Sequence, residues 1–226
     1  MNVYFIVEGR RTEKKVYAAW LSHLIPELNK VDWAFEASNN NYYLFDGNGF
    51  PSLLHKHLKN SIDEVNDLGV YQYLVIVLDV DESTTEGRVE EVNRFIDEND
   101  LVLENAKLII IPQNRCIETW FLGNKKVFKN NPRSPELSDY IKFYNVKDND
   151  PENMGLFPNF NTHSQFHAEY CTEFLRERNI RYSKNRPNGV IEVDYLESLI
   201  EREKQTSHLE SFKWFIDFCE KIKSEL

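Results

Sequence analysis

Cysteine is scarce in this chain of 226 residues: Cys116, Cys171 and Cys219 are far apart and form no CxxC pair, so neither a disulfide framework nor a zinc site is indicated. No apolar run approaches the roughly 20 residues needed to cross a bilayer. The opening Asn2-Val3-Tyr4-Phe5-Ile6-Val7-Glu8 lacks the basic leader, longer apolar segment and small-residue cleavage site of a secretory signal. A cytoplasmic protein with no membrane association is expected. Positive charge is also short, with 27 Lys and Arg against 37 Asp and Glu and a net charge of −10. Such a chain cannot coat nucleic acid by charge alone, because phosphate affinity comes mainly from Lys and Arg. Acting on nucleic acid would require metal ions to offset the carboxylates, a local basic surface, or a partner that supplies one. There is no Walker-type glycine loop for a nucleotide, no HExxH and no internal repeat.

What is present is a set of short, uninterrupted apolar runs. Val3 to Val7, Tyr73 to Leu78 and Lys107 to Ile111 are rich in β-branched and aromatic residues, the pattern of strands buried on both faces. Asn41 to Asp46 is a weaker fourth. Between them run helical stripes: Val16, Tyr17, Trp20, Leu21 and Leu24; then Leu54, Leu58, Ile62 and Val65; then Val89, Val92 and Ile96. The alternation predicts an α/β fold whose mainly parallel sheet is flanked by helices, occupying residues 1–123. Residues 124–226 read as a loop-rich connector, Asn130 to Phe160, followed by a helical C-terminal extension over Ser164–Arg178, Asp194–Lys204 and His208–Leu226. Trp20, Trp33, Trp120 and Trp214 are expected to fill the core or the contact between sheet and helical cap.

In open parallel sheets, functional groups collect where strands end and helices begin. Glu8 follows the first strand and precedes Gly9-Arg10-Arg11-Thr12-Glu13, with Gly9 read as permitting a tight turn and Thr12 as the N-cap of the next helix. Asp79 and Asp81 close the Tyr73 to Leu78 strand as Asp-Val-Asp, and the period of two of an extended chain points both carboxylates the same way. Mg²⁺ takes oxygen ligands, commonly one or two carboxylates with waters and substrate phosphate. Glu8, Asp79 and Asp81 meet that demand, although single acids at such places are often solvated loop residues or charges favoured by a helix dipole.

The run Val7-Glu8-Gly9-Arg10-Arg11-Thr12-Glu13, together with Leu78-Asp79-Val80-Asp81, resembles the TOPRIM domain of topoisomerases, primases and related nucleases. It is most similar in character to the small stand-alone TOPRIM proteins (RloB-like) and to the nuclease half of the OLD (overcoming lysogenization defect) proteins. The resemblance covers roughly residues 1–123. It implies a catalytic or metal role for Glu8, with Asp79 and Asp81 holding Mg²⁺ or Mn²⁺. Glu13 matches an acid that suggests a second metal, and Glu118 in Cys116-Ile117-Glu118-Thr119-Trp120 matches a further acid after the last strand. Lys184 in Tyr182-Ser183-Lys184-Asn185 matches a lysine placed near the scissile phosphate. Many TOPRIM domains carry a third Asp where this chain reads Glu82-Ser83, which leaves one or two ions open. The function so implied is a metal-dependent nuclease, a phosphodiesterase on DNA or RNA, working as the effector of a phage-defence system beside an ABC- or AAA-type ATPase.

The stretch Arg176 to Arg186 is basic and contains an aromatic. Arg178, Arg181, Lys184 and Arg186 would contact phosphates and Tyr182 would stack on a base, unless these are solvated helix-end charges. Arg10 and Arg11 stand at a helix N-terminus, where phosphate is favoured. His163 and His167, four apart, share a helix face but lack a metal-site context. Two rival functions are an Mg²⁺ enzyme acting on small phosphorylated molecules and a non-catalytic regulatory subunit. A homo-oligomer is compatible with either.

Overall fold

The computed structural model describes residues 1–226 as a five-stranded, wholly parallel sheet with helices on both faces. Its strands are β1 (Asn2–Val7), β2 (Asn29–Val31), β3 (Asn41–Asp46), β4 (Tyr73–Asp79) and β5 (Lys107–Gln113), in the spatial order β2-β3-β1-β4-β5. The two runs with the most continuous apolar character, β1 and β4, lie side by side inside the sheet and are buried along their length, Asp79 alone excepted in part. No helix is long and apolar enough to cross a membrane.

The main helices are α1 (Glu13–Leu24), α2 (Lys59–Leu68, led into by a helical turn at Phe50–Ser52 and a π-helical stretch at Leu53–Leu58), α3 (Thr85–Glu98), α4 (Ile117–Phe121), α5 (Pro135–Phe143), α6 (His163–Arg176), α7 (Val193–Thr206) and α8 (Glu210–Glu225). Alternate residues of each strand feed different cores. Tyr4, Ile6, Leu74, Ile76 and Leu78 face Leu54, Leu58, Ile62 and Val92 of the α2 and α3 side. Val3, Phe5, Val7, Val75 and Val77 face α1 and the C-terminal helices. There the packing is aromatic and mostly edge-to-face: Phe5 lies 6.0 Å from Phe218, Tyr17 5.1 Å from Phe215 and Trp20 5.8 Å from Phe212. Residues 124–226 therefore complete one side of the sheet's own core.

Four local features differ from the sequence reading. β2 is an additional edge strand, three residues long and largely exposed, so it has no buried run to reveal it. β5 continues through Pro112 to Gln113, which is tolerated because it is an edge strand and proline forfeits no ladder bond on the open side. The connector holds a helix, α5, started by Ser134, whose hydroxyl accepts from the Leu137 amide, and by Pro135 at its first position. Trp33 is 61% exposed on the β2–β3 connection and stacks on the equally exposed Phe35, instead of joining the core; Trp20 and Trp120 are fully buried.

Between β1 and β4 the chain changes direction across the sheet. From β1 it runs out to β2 and β3, and it returns on the other side of β1 as β4. This reversal opens a crevice at the carboxyl ends of the strands, where open α/β sheets place their ligand sites.

Candidate carboxylate site

Glu8 and Asp79 come from the two strands that flank this crevice. The Glu8 amide donates to the Val77 carbonyl at 3.0 Å, and a Glu8 carboxylate oxygen accepts from the Asp79 amide at 2.8 Å, so the two ends are fastened together. Glu13 lies on the first turn of α1 with its carboxyl folded over Gly9. A Cβ at Gly9 would collide with that carboxyl, while Gly9's φ is not in the left-handed region. Close approach, rather than a tight turn, is what requires glycine there. Thr12 does not cap α1 with its side chain: its hydroxyl donates instead to the Lys184 carbonyl at 3.1 Å. With Lys15 donating to the Asn185 carbonyl at 2.6 Å, this pins a tight hairpin, bridged between Ser183 and Arg186, above the first turn of α1.

The strand period does not carry through to Asp81. β4 ends at Asp79, and Asp81 adopts a φ of +52° in the following turn, a conformation Asp tolerates better than most residues. Several bonds hold it there. Its amide donates to the Arg115 carbonyl at 3.0 Å, its carbonyl accepts from the Arg115 guanidinium at 2.7 Å, and its carboxylate accepts from the Ser164 hydroxyl at 2.8 Å. Arg88 approaches the other carboxylate oxygen to 4.0 Å, lies 3.7 Å over the Phe50 ring and donates to the Val80 carbonyl.

Glu8, Asp79, Asp81 and Ser164 line a cleft of about 610 Å³ together with Glu169 and Lys184. Glu118, on α4 after β5, is 2% exposed and accepts from the Tyr182 hydroxyl at 2.8 Å. Burial, together with the neighbouring Glu8, Glu13, Glu118 and Asp81, pushes the Asp79 carboxyl well above the ordinary carboxylate range. Burial and the same repulsion raise Glu13 to about 7. Glu8 is raised chiefly by burial, against the opposing pull of the Asp79 amide. Lys184 is raised as well, mainly by Glu118, which in a lysine favours the charged form. Like charges crowded into low dielectric destabilise one another unless protons or cations offset them.

The donor set fits a hard cation. It consists of carboxylate oxygens, and one of them, Asp79 Oδ1, is buried with no hydrogen-bond partner. No group of three Asp, Glu, His or Cys side chains forms a ready-made cage. Mg²⁺ does not need one, since it keeps several waters and takes one or two carboxylates beside a substrate phosphate. His163 and His167 are engaged elsewhere. His163 pairs with Glu82 at 2.6 Å, and buried His167 bonds the Thr119 hydroxyl and is depressed by burial to about 3.

The basic stretch divides. Lys184 reaches the cleft, whereas the Tyr182 hydroxyl turns inward onto Glu118 and its ring packs edge-on against Phe121. Arg178 is occupied by the Val127 and Phe128 carbonyls, at 2.8 and 2.6 Å. Arg10, Arg11, Arg181 and Arg186 are exposed. Sequence reasoning missed Ser164, Arg115 and Arg88. Arg88 alone left a signal, since it lies one turn from Val92 on the buried side of an amphipathic stripe. No protein-family model, no curated protein and no solved structure matches the chain.

Proposed function

We propose that the chain is a Mg²⁺-dependent nuclease of TOPRIM type that hydrolyses phosphodiester bonds in DNA or RNA. One observation carries the reading: the carboxylates of Glu8, Asp79 and Asp81, with Glu13 and Glu118 behind them, crowd one cleft at the carboxyl ends of adjacent parallel strands, and an oxygen of Asp79 is buried without a partner. Glu8, Asp79 and Asp81 would hold the ion, with Glu13 and Glu118 available to a second. When bound, Mg²⁺ supplies charge neutralisation at the phosphate and lowers the pKa of bound water. The chain's own part is to orient and to exclude. Ser164 and Arg115 fix Asp81, the Asp79 amide fixes Glu8, and Lys184 brings a cation that would stabilise charge developing on phosphate oxygens. The net charge of −10 suits a subunit that borrows its grip on substrate from a partner, and the TOPRIM resemblance makes an ABC- or AAA-type ATPase in a phage-defence system the expected one.

The size of the cleft, about 610 Å³, favours one competing reading, hydrolysis of a small phosphorylated molecule, because that volume is typical of small-ligand sites. Salt dependence separates the two. On a polymer, activity should fall steeply between 50 and 200 mM salt and fall further in Lys184→Ala, whereas hydrolysis of a single phosphate ester should be nearly indifferent to salt. A flat profile on every polymer tried, with turnover of small esters, would replace the nuclease reading.

A further inference from the structure

The carboxylate cleft does not end at Lys184. Thr172 on α6 lines it and also lines a second hollow of about 410 Å³, whose other walls are Arg176, Asn179, Ile180, Arg181 and Tyr182. The two hollows adjoin at Thr172 and together make a groove along α6. Its floor is a single face of α6, passing from Gln165 and Ala168 through Thr172 to Arg176 at helical spacing. Its wall is the segment from Lys184 back to Arg181.

Charge changes sign along the groove. The first reach is acidic, with Glu8, Asp79, Asp81 and Glu169. In the second, the nearby carboxylates are already engaged. Glu177 accepts from Lys129 and from the Arg133 and Ser134 amides, which hold it down to about 2, and Glu173 is shared between Ser134 and one nitrogen of Arg176. Arg181 is exposed, and the remaining donors of Arg176 are unspent on Glu173. In a chain this acidic, such a concentration beside an acidic cleft is the arrangement that would hold an anion next to a cation-filled site.

We propose that the second hollow binds the backbone phosphates of a single nucleic-acid strand whose scissile phosphate lies at Asp79. From Ala168 to Arg176 the helix rises about 12 Å, roughly three to four nucleotides along a strand. The groove is bounded by one helix face and one short segment, a lining that follows a single backbone. The inference rests on the nuclease reading and deepens it by naming the form of substrate and the minimum length.

The test is a length series of labelled oligonucleotides from two to twelve residues, in deoxy and ribo form, measured for binding with Ca²⁺ and for cleavage with Mg²⁺ or Mn²⁺. Binding should strengthen by about tenfold once the strand is long enough to reach Arg176 and Arg181. In Arg181→Ala, and more fully in the double variant Arg176→Ala/Arg181→Ala, that step should flatten and the slope of log affinity against log salt should shrink by roughly one to two. The single variant leaves the Arg176–Glu173 pair intact, so a folding defect in the double variant does not obscure the result. Equal binding at all lengths, or a wild-type salt slope in both variants, overturns the groove even if cleavage is observed. A length step in binding with no cleavage under any metal, alone or with a candidate ATPase, supports the groove and sinks the nuclease reading instead.

Discussion

At the scale of single residues, the cleft is a place where proteins normally do not leave charge. Glu13, behind the cleft, and Glu152, which accepts from the Ser211 amide and hydroxyl behind β5, are both pushed up to about 7 by burial. The sign follows from linkage: the folded state keeps protons on these groups that the unfolded chain loses near 4.5. Their contribution to stability is therefore full below about 4.5 and is lost as pH rises to about 7, on the order of 3 kcal/mol for each. In chelator, melting temperature should fall between pH 5 and pH 8, and Glu13→Gln or Glu152→Gln should flatten that fall. Adding Mg²⁺ at pH 8 should recover the part due to Glu13 and leave the part due to Glu152, which lies outside the cleft. Gly9→Ala is a sharper probe. It should push the Glu13 carboxyl aside and weaken Mg²⁺ affinity by about tenfold or more, read by titration calorimetry, with little change in melting temperature because the displaced group is the end of a flexible side chain.

At the scale of elements, the turn after β4 is the part most dependent on distant chain. Asp81 holds a left-handed conformation only because Arg115 from the β5–α4 turn and Ser164 from α6 bond to it. Ser164→Ala should lower activity by about ten- to a hundredfold through loss of Asp81 orientation, while circular dichroism stays unchanged. This explains which parts of the site the sequence made legible. Glu8, Asp79 and Asp81 could be found because each follows a buried apolar run, and Lys184 because it stands in a short basic stretch. Ser164 and Arg115 could not, since their relevance arises only when α6 folds over the sheet edge. The partner of Tyr182 was hidden for a similar reason: the residue its hydroxyl meets, Glu118, comes from 64 residues away. The strands were legible where burial on both faces wrote a continuous run, and β2 was not, because a three-residue exposed edge leaves no such run.

At the scale of the whole molecule, the sheet and the C-terminal helices share one aromatic core, and this ties the site's two sources of residues together. Glu8, Asp79 and Asp81 come from the first half of the chain, Ser164 and Lys184 from the second. Phe215→Ala removes a fully buried ring that meets Tyr17, Trp20 and Trp120, and should cost about 3–5 kcal/mol. Unfolding should remain a single calorimetric transition, with Trp20 on α1 and Trp214 on α8 losing their native environments together; two separated transitions would mean that the halves fold independently. The most direct test of the central claim is cleavage of supercoiled plasmid, single-stranded DNA and a tRNA pool in Mg²⁺ or Mn²⁺, with wild type beside Glu8→Ala and Asp79→Ala, each alone and with a candidate ATPase. Metal-dependent cuts that disappear in both variants are the predicted result. Cutting that survives both substitutions, or none from the wild type with any substrate, metal or partner, would contradict it.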